Sequence, residues 1–369
     1  MTAASRKGSA DGRTSDVESQ ITLLERGNGE GDIDFGDGKS LHVSSLSKIF
    51  FPKPGVTKGA LMRYYVRIWP ALQPHVRDRP LVLKRYPNGV GRPMFFQQNA
   101  GQHVPDVVRV ETLNTVDEGP KARLIGGDLP TLLYTVQLGA IEVHPWLSSL
   151  PDADAADRCL IDLDPGDDVP FTSVVSLARD VLAIATQCGL PMALKTSGSS
   201  GMHLVIPLPS RTPYEVSAQL AQLIARATTA HRSDLATVER SIRARPAGTI
   251  YVDALQNARG KSMACAYSVR ATDDATVSTP VRARELTSKL RTSAFTVRTL
   301  PARVNRTGDL WGDALRQRPT AKSIRTAMTV LEQVLEDAPP TTKPPRSVKR
   351  SRGAPGARSA TGHPRTQHT

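Results

Sequence analysis

Cys159-Leu160-Ile161-Asp162-Leu163-Asp164-Pro165-Gly166 is the stretch on which the reading of this 369-residue chain turns. From Ile161 to Asp164 apolar and acidic residues alternate, the period of a β-strand. Residues two apart on a strand share a face, about 7 Å from each other. Two carboxylates on one face repel unless a cation sits between them. Hard divalent ions take carboxylate oxygens as ligands, so an Asp-x-Asp strand end is a candidate two-metal phosphoryl-transfer site. The same residues also fit a solvated strand end before a Pro-Gly turn.

The flanking sequence orders the elements. Val174, Val175, Leu177, Ala178, Val181, Leu182 and Ile184 fall at helical spacing, and Gly189 suits the helix end. A strand is expected over Met192–Thr196. The small-residue loop Ser197-Gly198-Ser199-Ser200-Gly201 follows, then a strand over Met202–Leu208 with His203 near its start. Pro213 opens a second helix with Val216, Leu220, Leu223, Ile224 and Ala227 on its apolar stripe. Thr249–Asp253 reads as a strand ending in an acid. The order β-α-β-β-α-β is the split unit of ferredoxin-like folds. There the last strand lies beside the first, which would bring Asp253 to Asp162 and Asp164. The Ser/Gly loop fits a hairpin turn, and its backbone N–H groups also suit a phosphate.

Three segments now stand together: Asp162-Leu163-Asp164-Pro165-Gly166, Thr196-Ser197-Gly198-Ser199-Ser200-Gly201-Met202-His203 and Tyr251-Val252-Asp253. In this the chain resembles the polymerase domain of bacterial DNA ligase D, in the archaeo-eukaryotic primase superfamily. The resemblance runs over roughly residues 42–313. It includes Lys48-Ile49-Phe50-Phe51-Pro52, Thr57-Lys58-Gly59, Arg79-Pro80, Leu83–Val90, Phe95-Phe96-Gln97, His144-Pro145-Trp146 and Tyr267-Ser268-Val269-Arg270. It implies an α+β, two-lobed primase-like fold with a ferredoxin- or RRM-like catalytic sheet. It also implies a template-dependent nucleotidyltransferase that fills gaps and extends broken DNA ends with NTPs, or dNTPs, during non-homologous end joining.

By the same resemblance Asp162, Asp164 and Asp253 are the catalytic carboxylates that hold two Mn2+ or Mg2+ ions. His144, Lys84, Ser197, Gly198, Ser200, Gly201, His203 and Arg270 would meet the nucleotide. Lys48 and Lys58 would bind the 5′-phosphate of a DNA end or gap, and Phe95 and Phe96 would stack on template bases. A Ku-like end-binding protein and a separate DNA ligase are the implied protein partners. Without the family, the two lysines read as surface cations, Arg270 as a strand-surface cation and His144 as a partly buried histidine. Phe95 and Phe96 read as core. The family's loop usually carries a lysine where Ser200 stands, and it commonly has lysine at Gln98 and proline at Ala266. A catalytically weak DNA-end-binding module and a primase acting de novo are therefore kept as alternatives.

Composition agrees with a polyanionic partner: 48 Lys and Arg against 35 Asp and Glu give a net charge of +13. No apolar run of membrane length or basic amphipathic helix is seen, and Met1–Asp16 lacks the apolar core of a signal peptide. Cys159, Cys188 and Cys265 give neither a disulfide framework nor a zinc pattern. A reducing bacterial cytoplasm, at the nucleoid, is expected.

Residues 1–40 are Gly-, Ser- and charge-rich and are expected to be a disordered tail. Residues 41–316 are expected to form the primase-polymerase domain, with a first lobe over 42–150 and the catalytic sheet over 157–313. Within the first lobe, helices are expected over Leu61–Leu72 and over 132–143, and a strand over Leu81–Arg85. Residues 317–337 should form a helix. Residues 338–369, with seven Lys or Arg and no acid, read as a basic disordered tail. Ligase and phosphoesterase sequences are not recognised, and the expectation is a stand-alone polymerase unit.

Overall fold

The computed structural model describes residues 3–115 and 119–337; the basic stretch 338–369 lies outside them. The first half runs α1 (Ala3–Arg26), β1 (Gly31–Asp34), β2 (Ser40–Val43), β3 (Ile49–Phe51), β4 (Val56–Thr57), α2 (Lys58–Val76), β5 (Leu81–Arg85) and β6 (Phe95–Gln97). It continues through β7 (Val110–Thr115), β8 (Gly119–Leu124), α3 (Leu129–Gln137) and β9 (Ala140–Pro145). The second half runs β10 (Ala155–Pro165), α4 (Phe171–Gln187), β11 (Ala193–Thr196), β12 (Met202–Pro213), α5 (Tyr214–His231), β13 (Ala236–Thr237) and β14 (Ile250–Asp253). After β15 (Pro280–Val281) come α6 (Leu300–Thr307), α7 (Leu310–Leu315) and α8 (Ala321–Glu336).

The second half builds a six-stranded sheet in the order β13-β14-β10-β12-β11-β15. Its middle four strands are antiparallel neighbours, and β14, the last strand of the β-α-β-β-α-β unit, lies beside β10, the first. That is the ferredoxin-like arrangement. The strand period sorts the residues of β10. Cys159, Ile161 and Leu163 are buried, with the Cys159 thiol against the Ser217 carbonyl of α5. Asp162 and Asp164 therefore point to the opposite face. Helix α4 buries Val174, Val175, Leu177, Ala178 and Val181. It ends where Gly189 adopts φ +67°, its N–H bonding Thr186 O while Leu190 N–H reaches Ala185 O.

The first half contributes a three-stranded sheet, β6-β5-β9, backed by α2 and α3. Apolar residues of both halves, from Leu61 and Leu133 to Leu204 and Ile250, belong to one buried cluster. The expected helix over 132–143 is shorter: α3 ends at Gln137, and Gly139 at φ +83° turns the chain into β9. Ile141 and Val143 are β-branched and pack better on a sheet, where Val143 pairs Leu83.

The N-terminal segment also differs from its expectation. Instead of a disordered tail over 1–40, α1 buries Val17 and Ile21, and Glu18 pairs with Arg67 of α2 at 2.5 Å. The β1–β2 hairpin buries Ile33, Leu41 and Val43. Two apolar residues at i and i+4 make too narrow a stripe to stand out in a polar sequence. Packing on α2 supplies the stability that local composition does not.

Candidate active site

A row of side chains crosses four adjacent strands. Asp162 of β10 pairs Asp253 of β14 on one side and His203 of β12 on the other. His203 in turn pairs Lys195 of β11. Asp164, two residues on, lies on the same face as Asp162. The Ser/Gly loop stays close because two positions tolerate only glycine. A Cβ at Gly201 would stand 2.2 Å from Leu163 O. Gly198 adopts φ +76°, and its Cβ would meet Ser278 N at 2.6 Å.

The electrostatics follow from this crowding. Burial, then the neighbouring Asp164 and Asp253 charges, push the Asp162 carboxyl up to about 7, against the opposing pull of Lys195 and Arg270. Burial, joined by the Arg270 charge, holds the Lys195 ammonium well below its ordinary range. Burial and the charges of Lys195 and Arg270 likewise keep His203 neutral. Lys195 Nζ lies 2.5 Å from His203 Nδ1 and 2.7 Å from Ser278 Oγ. With Nδ1 facing that donor, the histidine proton is assigned to Nε2, which sits 3.5 Å from Asp162 Oδ1.

The other two carboxylates have partners of their own. Asp164 Oδ2 receives Arg245 at 3.2 Å, and that guanidinium stacks on Tyr251 at 4.2 Å. Asp253 accepts from Leu255 N–H at 2.7 Å, Tyr251 OH at 3.3 Å and Gln256 Nε2 at 3.3 Å. As the side chains stand, no group of three or more His, Cys, Asp or Glu among the described residues is gathered closely enough to hold a metal ion. The chemistry of the donors nevertheless suits hard divalent cations: three carboxylates share one face, and burial together with the other two charges raises the proton affinity of one of them.

A second cluster centres on Glu142, which the sequence reading did not single out. Its Oε2 lies 3.0 Å from His144 Nε2 and 3.0 Å from Arg270 Nε. Its Oε1 accepts from Ala271 N–H at 3.1 Å and Lys84 Nζ at 3.3 Å. Burial would raise this carboxyl, but His144, Arg270 and Lys84 outweigh it and hold it far below the usual range. His144 itself is lowered by burial, against the pull of Glu142. One carboxylate thus gathers His144, Lys84 and Arg270, three of the expected nucleotide-contacting residues. The available signal was Glu142-Val143-His144, an acid and a histidine two apart on one strand face.

The loop is more self-contained than expected. Ser197 N–H bonds Gly201 O at 2.9 Å, and the N–H groups of Ser199 and Gly201 both donate to Ser197 Oγ at 3.1 Å. Within the loop, only the N–H groups of Gly198 and Ser200 are not engaged in this way. Arg270 also donates to Ser197 O at 2.5 Å, tying the loop to the Glu142 cluster. Ser200 is exposed. Lys195, the nearest lysine in sequence to this loop, is fully buried against His203 and acts through it rather than at the surface.

Phe95 and Phe96 of β6 are both exposed, 47% and 56%, so neither fills the core as its type alone suggests. Arg85 lies over Phe95 at 5.0 Å and Lys84 over Phe96 at 6.0 Å. Phe96 also meets the His144 ring edge-on at 6.5 Å. Lys48 and Lys58 form a separate basic pair. Lys58 Nζ is held by Ser44 O at 2.9 Å and Gln137 Oε1 at 3.3 Å, and Lys48 Nζ by Asn88 Oδ1 at 3.1 Å. Burial, then the charge of Lys48, push the Lys58 ammonium down to about 8. The acceptors around both lysines are neutral.

Similarities to known proteins agree with this geometry. The family profile of the LigD primase-polymerase domain matches residues 57–311. The multifunctional non-homologous end joining protein LigD of Pseudomonas aeruginosa is 33% identical over 289 residues, 76% of this chain and 34% of that protein. The bifunctional LigD of Bacillus subtilis is 32% identical over 269 residues, 73% of this chain and 43% of that one. The chain therefore spans less than half the length of these relatives. The polymerase domain of Mycobacterium tuberculosis ligase D in complex with DNA superposes with a TM-score of 0.69 at 28% identity, over 76% of this chain and 99% of that one. With its Asp162–Asp253 pair and the adjoining Ser/Gly loop in place on a ferredoxin-like sheet, this chain belongs to the family of LigD primase-polymerase domains.

Proposed function

We propose that the chain is a template-dependent nucleotidyltransferase that fills gaps and extends broken DNA ends with NTPs, a role in end joining. The observation that carries the reading is the pairing of Asp162 with Asp253, with Asp164 on the same face and His203 beside them. Asp162, Asp164 and Asp253 would hold two Mn2+ or Mg2+ ions, whose chemistry there is Lewis-acid activation of the primer 3′-hydroxyl and neutralisation of the triphosphate.

This chain's own residues supply the rest. His203, held through Nδ1 by Lys195, presents Nε2–H at the carboxylate edge as a neutral donor. Glu142 fixes Arg270 and Lys84 beside it. With His144 neutral, those two cations exceed the one carboxylate, and the surplus positive charge suits a polyphosphate. Lys48 and Lys58, two close ammonium groups with neutral acceptors, would take a 5′-phosphate. Exposed Phe95 and Phe96 would stack on template bases. DNA ends, nucleotides, a Ku-like protein and a separate ligase are the partners this reading calls for; the DNA complex of the related polymerase domain supports the first.

Primer extension on a 5′-phosphorylated gapped duplex with Mn2+ tests the proposal. Template-directed addition is expected, and its absence at any nucleotide concentration would leave the weak end-binding module, which the serine at 200 favours. Synthesis without a primer would point instead to a primase acting de novo.

A further inference from the structure

A second pocket, of about 370 Å3, opens where β10 begins. Its Arg158 stands four residues from Asp162, about 13 Å along the strand. Arg79, Asp157, Arg158, Asp309, Arg316 and Arg318 line it. Most of these groups are matched. Arg79 donates to Asp157 Oδ2 at 2.5 Å and to Trp146 O at 3.1 Å. Arg316 pairs with Asp313. Asp309 is taken by His75 Nε2 at 2.9 Å, Tyr267 OH at 2.7 Å and Gly312 N–H at 3.1 Å.

Arg158 is matched only at long range. It is 4% exposed, yet among the described residues its side chain makes one hydrogen bond, a long one of 3.5 Å to His75 O. The nearest carboxylate oxygen, Asp157 Oδ1, is 3.9 Å from its Nε. Arg79 Nε is buried without a hydrogen-bond partner among the described residues, as is Asp157 Oδ1. Arg318, exposed at the rim, has no ion pair among the described residues. A largely buried guanidinium held only by long contacts is costly unless an anion or water completes it. Burial and the adjacent Arg79 charge push Arg158 down to about 10, as expected for a buried cation short of counter-charge.

We propose that this pocket binds a phosphate group, free or in a nucleic-acid backbone, between Arg158 at its floor and Arg318 at its rim. Guanidinium forks match phosphate oxygens in geometry and charge. Asp157 Oδ2 holds Arg79 and Asp309 is taken by His75, Tyr267 and Gly312, so three arginines, Arg79, Arg158 and Arg318, face one carboxylate oxygen without a hydrogen bond, Asp157 Oδ1. The site is separate from the Lys48–Lys58 pair and does not depend on polymerase activity.

The test is side-chain Nε–H NMR of the full chain, titrated with inorganic phosphate at constant ionic strength. A parallel titration uses a short oligothymidylate with hydroxyl ends. Arg158 and Arg79 signals should shift, and Arg318→Ala should weaken the response at least about threefold, as loss of one charge-assisted contact implies. The double Lys48→Ala/Lys58→Ala variant should respond like wild type. A response to inorganic phosphate alone assigns a free phosphate; a response to the oligonucleotide assigns a backbone phosphate. Silence in both titrations, or a response unchanged in Arg318→Ala, would overturn the proposal. Because Arg318 is exposed, that variant should fold, and its unfolding midpoint provides the control.

Discussion

Asp162 faces Asp253 directly across the β10–β14 ladder, although two helices and three strands separate them in the chain. Burial raises the proton affinity of the Asp162 carboxyl, and the charges of Asp164 and Asp253 add to the effect. The pair is a source of instability that a bound cation would relieve, and this makes it testable without any assay of catalysis.

Asp162→Asn should stabilise the metal-free protein at pH 8. Asp162 keeps its proton up to about pH 7 when folded but ionises near its ordinary value of 3.8 when unfolded. Between these values the folded state binds more protons, so rising pH costs wild-type stability. The variant should melt on the order of 2 °C higher at pH 8, and the difference should vanish towards pH 4. Added Mn2+ should raise the wild-type midpoint and not the variant's. A metal response retained in Asp162→Asn would remove this carboxylate from the metal site. Nucleotide addition should be lost in the same variant by orders of magnitude.

Glu142→Gln should be strongly destabilising at neutral pH, by about 3–5 kcal/mol, because it takes the buried counter-charge away from the partly buried Arg270 and Lys84. Glu142 is held below its ordinary pKa, so its contribution is present above pH 4.5 and is lost as pH falls through the lower folded value. Denaturant titrations at pH 7 and at pH 3 should therefore show a gap that narrows with acid. A gap independent of pH would assign the effect to packing instead.

Lys58 should make recognition of a 5′-phosphate fall as pH rises. Its ammonium loses its proton near pH 8 in the folded protein, and a bound phosphate must restore it. Discrimination between phosphorylated and unphosphorylated gaps should drop several-fold from pH 7 to pH 9.5, and Lys58→Ala should be weak at both. The linked stability has the opposite slope. Between pH 8 and 10.5 the unfolded chain holds a proton that the folded one lacks, so stability rises with pH, and Lys58→Met should flatten that rise. Equal discrimination at both pH values would place the phosphate elsewhere.

Ser200→Lys should lower KM for nucleotide by up to about tenfold, the equivalent of ~1.4 kcal/mol. Ser200 is exposed in a loop whose N–H groups are largely engaged with Ser197, so the loop gives a triphosphate little charge. Lys195 is buried under His203 and cannot reach it directly. Steady-state kinetics on a phosphorylated gap measure the change; an unaltered KM would mean that Arg270 and Lys84 already suffice.

Much of this protein follows from local rules. The alternation around Asp162 and Asp164 placed both acids on one strand face because side chains alternate with period two. The β-α-β-β-α-β order then brought Asp253 to them, because that connection puts the last strand beside the first. Other features have no local signature. Val17 and Ile21 form a helix face only because α2 lies against it. Phe95 and Phe96 are exposed because β6 lies at a sheet edge, which their hydrophobicity does not foretell. Glu142 became a hub, and Arg245 the partner of Asp164, through ion pairs between segments far apart in the chain. Periodicity states which way a side chain points. Which charge it meets is decided by how the two sheets dock, since electrostatic contacts depend on distance in space, and separation along the chain does not encode it.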